Sequence, residues 1–301
     1  MANYTSYDIQ IVSADGEVTL HGSKHTDSVE NYIGYEPPLE GWGEVDIRTT
    51  SFLFSGADGG MITDQYRSMR QIPITAWIMG KTQAEIDAGR MAMNQALPIK
   101  ENVSVYLIDP QGNRYGVIAR VLKVSASIPY AKDSYLVQDY DIELVAGDPL
   151  IYDFSTDQIE IQVPRVMDVG GLLWSPTGLL WEDDGLHWQM GANPVIINNT
   201  GNTMAYPIIE IDGIVHNPEL FNISADRIVS LNISTGPNDN IVIDMNAETI
   251  TLNGGSIINN AIRKDWWGLT PGPNTIKFTT ASSDDVNFAT IKYRNAFNKV
   301  V

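Results

Sequence analysis

Asn240-Ile241-Val242-Ile243-Asp244-Met245-Asn246-Ala247-Glu248-Thr249-Ile250-Thr251-Leu252-Asn253-Gly254 reads as strand, turn, strand, turn. Ile241, Val242 and Ile243 form a short apolar run, and Met245 to Glu248 turn the chain. Thr249, Ile250, Thr251 and Leu252 then alternate polar with apolar, the period of a strand with one buried face. Asn253-Gly254 turns the chain again. Upstream, Ile208-Ile209-Glu210-Ile211, then Asp212-Gly213, then Ile214-Val215 reads as a hairpin with the favoured two-residue turn. Downstream, Thr275 to Thr279 and Thr290 to Tyr293 are further strand-like runs. Short strands at roughly regular spacing predict an antiparallel sandwich for the last third of the chain.

The N-terminal half mixes strand patterns with one helix. Tyr7, Ile9 and Ile11 alternate with Asp8 and Gln10, and Glu44-Val45-Asp46-Ile47-Arg48 alternates in the same way. Ser55 to Tyr66 contains Gly56, Gly59 and Gly60 and predicts a long flexible loop. Ile72, Ile74, Ala76 and Ile78 share one face of the next strand. Thr82 to Leu97 predicts a helix: Thr82 and Glu85 form a capping box. Ile86, Gly89, Met93 and Leu97 recur at spacings of three and four, and Pro98 ends the run. Val103 to Ile108 and Tyr115 to Val124 predict a hairpin about Asp109-Pro110-Gln111-Gly112-Asn113. Tyr135 to Val145 is a further strand, which Gly147-Asp148-Pro149 breaks.

Residues 171–188 hold a short repeat: Gly171-Leu172-Leu173-Trp174, Gly178-Leu179-Leu180-Trp181 and Gly185-Leu186-His187-Trp188. A glycine in every unit, and Pro176 between units, forbids a long helix. The reading is a packed connecting arm, with an exposed aromatic surface for a protein or sugar ring as the functional alternative. The expected organisation is therefore mainly β. An α+β domain of sheet plus one helix covers 1–150, a connecting segment 151–190, and a β-sandwich 191–301.

Composition narrows the function. The 301 residues include 43% hydrophobic side chains, enough to bury real cores. The absence of cysteine excludes disulfides, thiolate metal sites and a cysteine nucleophile, and suits synthesis in a reducing cytoplasm. A formal net charge of −18 repels phosphate backbones, so no nucleic-acid recognition is expected. Neither a signal peptide nor a membrane-spanning apolar run is visible, so no membrane insertion is expected. The Gly-x-Ser-x-Gly elbow and the phosphate- and dinucleotide-binding glycine loops are absent. His21 and His25 lack a nearby third ligand, and His187 and His216 read as ordinary surface or turn histidines. Glu182-Asp183-Asp184 and Asp284-Asp285 lack calcium-loop spacing and read as solvated turns. No catalytic residue, metal or cofactor is expected, and the chain reads as a non-enzyme.

Taken in order, several segments resemble one family, the distal tail proteins of long-tailed phages that infect Gram-positive bacteria. Asn198-Asn199-Thr200-Gly201, Pro207-Ile208-Ile209-Glu210-Ile211, Gly213 and Asn217-Pro218 look like the opening of that family's second domain. Asn240 to Asp244 and Ile250 to Gly254 look like its central hairpin. Trp266-Trp267-Gly268-Leu269-Thr270-Pro271-Gly272-Pro273-Asn274-Thr275-Ile276 looks like its aromatic–Leu–Pro–Gly–Asn turn, and Val286 to Tyr293 its last strand. Arg70 to Gly80 with the capped helix is similar to the strand and helix of its belt domain, while the three Gly-Leu-x-Trp units depart from the family.

The resemblance implies a belt domain that assembles as a homohexameric ring, with a galectin-like sandwich outside it. It implies a structural role at the virion's tail tip or baseplate, after assembly in the host cytoplasm. The implied partners are the tail tube protein, the tail-associated hub or lysin protein, and receptor-binding proteins used in host attachment. Gly56, Asp58, Gly59, Gly60 and Tyr66 are the candidate contacts to a neighbouring subunit or the tube. Trp174, Trp181, Trp188, Trp266 and Trp267 are the candidate partner or sugar contacts. The alternative function is a carbohydrate-binding sandwich that recognises host cell-surface saccharide through those tryptophans.

Overall fold

The computed structural model describes residues 7–22, 32–132, 134–166, 194–282, 285–286 and 288–300. The chain divides into two compact units, Met1–Asp157 with Ala296–Val301, and Gln158–Asn295. Sequence placed the first boundary near 150 and ran the last domain to 301. In the structure the crossing lies at 157/158, and the last residues return to the first unit.

The first unit contains β1 (Asp8–Val12), β2 (Glu17–His21), β3 (Tyr32–Tyr35), β4 (Ile47–Leu53), β5 (Gly60–Arg67), β6 (Arg70–Gly80), α1 (Gln83–Ala96), β7 (Asn102–Ile108), β8 (Arg114–Ala126), β9 (Tyr130–Lys132), β10 (Tyr135–Ala146) and β11 (Ile151–Asp153). Its main sheet runs β8-β7-β1-β2-β3-β6-β10, and β10 pairs back onto β8, which closes the sheet into a barrel. Period-2 alternation decides the inside. Ile9 and Ile11, Val18 and Leu20, Ile72 to Ile78 in steps of two, and Val103, Val105 and Leu107 are all buried. β10 adds Tyr140, Ile142 and Leu144 to the same core.

The helix starts where its capping box predicts. The Thr82 hydroxyl accepts from Glu85 N at 3.3 Å, and the Glu85 carboxylate reaches back to Thr82 N. Its buried face is Ile86, Gly89, Met93 and Ala96, laid against β6 and β2. Gly89 is there for proximity: a Cβ at that position would fall 2.6 Å from Ile78 Cγ2.

The second unit contains β12 (Ile159–Pro164), β13 (Val195–Asn199), β14 (Ile208–Asp212), β15 (Glu219–Asn222), β16 (Arg227–Leu231), β17 (Asn240–Asp244), β18 (Thr249–Leu252), β19 (Gly255–Ser256), β20 (Ala261–Lys264), β21 (Gly272–Thr279) and β22 (Phe288–Tyr293). They form two antiparallel sheets, β12-β22-β14-β17-β18-β19 and β13-β21-β15-β16-β20. Ile209, Ile211, Ile241, Ile243 and Ile291 of the first sheet are buried, as are Ile197, Leu220, Val229, Ile276 and Phe278 of the second, which makes the expected sandwich. Asn253 and Gly254 both take left-handed backbone, φ 50 and 81, the requirement of the tight turn between β18 and β19.

The hairpin expected about Asp212-Gly213 is not formed. β14 pairs with β17 and β22, while Ile214-Val215 leave the sheet and lead to β15 in the other one. The Thr235 hydroxyl accepts from Val215 N at 2.9 Å and donates to Gly213 O at 2.6 Å, fastening this crossover. A sheet-to-sheet bend between two apolar segments has the same apolar–turn–apolar pattern as a hairpin, so local sequence does not separate them. Finally β23 (Ala296–Phe297) pairs with β11 in the first unit.

Candidate interaction surface

β4 and β5 form a separate two-stranded ribbon. Every residue of β4 is exposed, and all of β5 except Thr63. Leu53 is 87% exposed and Ile62 68%, with Ile47, Phe52, Phe54, Met61 and Tyr66 each more than half exposed. An isolated ribbon is only marginally stable in water, and an exposed apolar one marks a contact surface. Both outer edges also present unpaired backbone groups, which suits them to another chain.

This ribbon corrects the reading of Ser55 to Tyr66 as a flexible loop. The turn is short, closed by Phe54 N donating to Gly59 O at 3.1 Å, with Gly56 and Gly59 at φ 82 and 94. Gly56, Asp58 and Gly59 lie in or beside that turn, Gly60 opens β5, and Tyr66 sits near its end. The strand was missed because neither face is buried, so no alternation reports it. A second exposed apolar stretch follows on β8 and just beyond it, with Ile118, Leu122, Val124 and Ile128 exposed. Its only sequence signal was apolar residues on a strand beyond those needed for one buried face.

The candidate aromatics divide. Trp174, Trp181 and Trp188 lie outside the described residues, as do His25, His187, Asp284 and the acidic run 182–184. Trp266 is half-buried. Trp267 is 2% exposed, so it offers no face to a sugar ring and is a core residue of the sandwich. The turn that follows is locked by Asn274, whose Oδ1 accepts from Thr270 N and Oγ1 and whose Nδ2 donates to Thr270 O and Gly272 O. Buried Asn199 donates to Thr203 O and Leu269 O, and buried Asn222 to Gly268 O. Buried amides satisfy carbonyls that would otherwise be orphaned, which gives this aromatic–Leu–Pro–Gly–Asn segment a structural reason.

Asp285 also departs from its reading as a solvated turn. Its side chain is wholly buried, and His216 Nδ1 lies 2.6 Å from its Oδ1. Burial pushes the carboxyl up, but hydrogen bonds from His216, from the Thr280 side chain and from Ser282 N outweigh it and hold the group below its ordinary value. The pair ties the crossover after Gly213 to the chain beyond β21, and it is structural. His21 pairs with Asp8 at 3.3 Å. Among the described residues no group of three or more His, Cys, Asp or Glu is placed to hold a metal ion.

Sequence and fold comparisons converge on this architecture. The family profile of the siphovirus-type tail component, C-terminal domain, matches residues 200–297, which lie almost wholly in the sandwich. The crystal structure of SPP1 Dit superposes over 89% of this chain and 99% of its own, with a TM-score of 0.57 at 15% identity. The last third of the chain is thus similar to that tail-component domain, and the chain has the fold of SPP1 Dit. A chain of the phage P2 baseplate in its activated, calcium-bound conformation shares the fold as well, with a TM-score of 0.50 at 11% identity over 98% of this chain and 99% of that one. No curated protein matches it significantly in sequence.

Proposed function

We propose that six copies close head to tail into a ring that joins the tail tube to the tail-tip hub protein and carries receptor-binding proteins at its rim. The observation that carries this is the β4–β5 ribbon, whose apolar side chains and free edges have no partner surface within their own sheet. A ring of identical chains covers such a surface by a heterologous contact that closes on itself. The exposed stretch of β8 in the same unit is the natural complement. SPP1 Dit is described as a paradigm of the hub adsorption apparatus in Gram-positive infecting phages, which supports the same placement here. The role is structural and non-catalytic, in a virion tail tip assembled in the host cytoplasm. The net charge of −18 suits a lumen that DNA slides through without adhering.

Light scattering after size exclusion tests the ring. The parent chain is expected at the mass of six subunits, alone or with tail-tube and hub proteins. Phe52→Asp with Leu53→Asp is expected to return it to a monomer with an unchanged melting temperature. A parent that stays monomeric with all partners present refutes the proposal.

A further inference from the structure

The outer face of the barrel carries a groove of about 710 Å³ at β3, β6, β9 and β10. Ile74, Ala76 and Ile78 point inward on β6, so Trp77 and Met79 point out. Register then builds a row across the sheet: Asp139 of β10 faces Trp77, Trp77 faces Gly34 of β3, and Gly34 faces His21 of β2. A Cβ on Gly34 would fall 2.6 Å from Trp77 Cζ2, so the indole lies against bare backbone and forms the floor. Tyr130 and Tyr135 flank the β9–β10 hairpin, and the Tyr130 hydroxyl bonds the Asp139 carboxylate. Glu36 stands on the opposite wall, and Lys132 also lines the groove.

We propose that this groove binds a saccharide of one or two pyranose rings. Fixed aromatic rings offer flat faces for the C–H side of a sugar. Carboxylates at the rim accept hydrogen bonds from vicinal hydroxyls, and Lys132 supplies a donor for ring oxygens. The volume lies in the range of small-ligand sites. A proline-rich peptide also favours aromatic grooves, but its backbone presents acceptors almost alone and meets a rim dominated by acceptors. The inference is independent of ring assembly and concerns the first unit, not the tryptophans of the sandwich.

Saturation-transfer NMR on the full chain tests it, with maltose, lactose and N,N′-diacetylchitobiose as sugar probes and decaproline as the peptide probe. At least one sugar is expected to bind with a Kd of about 1 mM, and decaproline to show no transfer. Tyr130→Ala and Asp139→Asn are each expected to weaken sugar binding about tenfold or more, with Trp266→Ala unchanged. Should Asp139→Asn fail to fold, Tyr130→Phe supplies the comparison, since it keeps the ring and removes only the link to Asp139. No sugar binding at about 20 mM, decaproline binding in place of sugar, or full sugar affinity in the folded variants overturns the proposal.

Discussion

Arg70→Met is the most informative single change to the first unit. The guanidinium is 1% exposed and donates to four carbonyl oxygens: Pro149 at 2.8 Å, Gly41 at 2.5 Å, Gly43 at 2.8 Å and Asn298 at 2.7 Å. It therefore holds the glycines on both sides of fully buried Trp42, the end of β10 and the returning C-terminal residues. Burial lowers its pKa to about 10, with Asp148 partly opposing, so the charge is retained at neutral pH but is not fully compensated. Methionine removes that desolvation cost and keeps most of the apolar stem, but leaves the carbonyls without donors. One orphaned buried carbonyl costs ~1–3 kcal/mol, and water entering the vacated space satisfies some of them, so the net loss is about 3 kcal/mol. For a domain of this size that is a fall of ~6–12 °C in melting temperature. Calorimetry with tryptophan fluorescence reads it. Deleting residues 296–301 should couple to it, because both changes remove the bond to Asn298 O. A melting point within about 1 °C of the parent, or strict additivity with the deletion, refutes the reasoning.

Thr82→Ala should cost about 1 kcal/mol in urea unfolding by breaking the capping box, and Thr82→Ser much less. Gly89→Ala should destabilise the first unit despite a helix-propensity gain of ~1 kcal/mol, because its Cβ meets Ile78 at 2.6 Å, and that cost should vanish when it is made in an Ile78→Ala background. Asp285 has a folded pKa below its unfolded one, so its contribution is present above the ordinary carboxylate range and is lost as pH falls through that range. His216→Ala removes the imidazole bond to Asp285 and keeps the backbone one, so it should lower the urea midpoint of the sandwich at pH 7 and flatten its fall from pH 7 to pH 3. Unchanged midpoints across that range would contradict the assignment.

What sequence alone determined was local. The capping box of Thr82 and Glu85, the alternation of Ile72 to Ile78 and of Tyr140 to Leu144, and the Asn253-Gly254 turn each depend on neighbours within a few residues. Their order also carried the family resemblance. The tertiary structure decided the rest, because burial and pairing depend on chain far away in sequence. β10 pairs with both β6 and β8, and only that closes the barrel. Gly213 begins a crossover because β17 and β22 already occupy both edges of β14. Trp267 and Asp285 are buried by segments their own sequence does not name. The β4–β5 ribbon, exposed on both faces, has no periodic signature, since nothing in its own unit selects an inside for it.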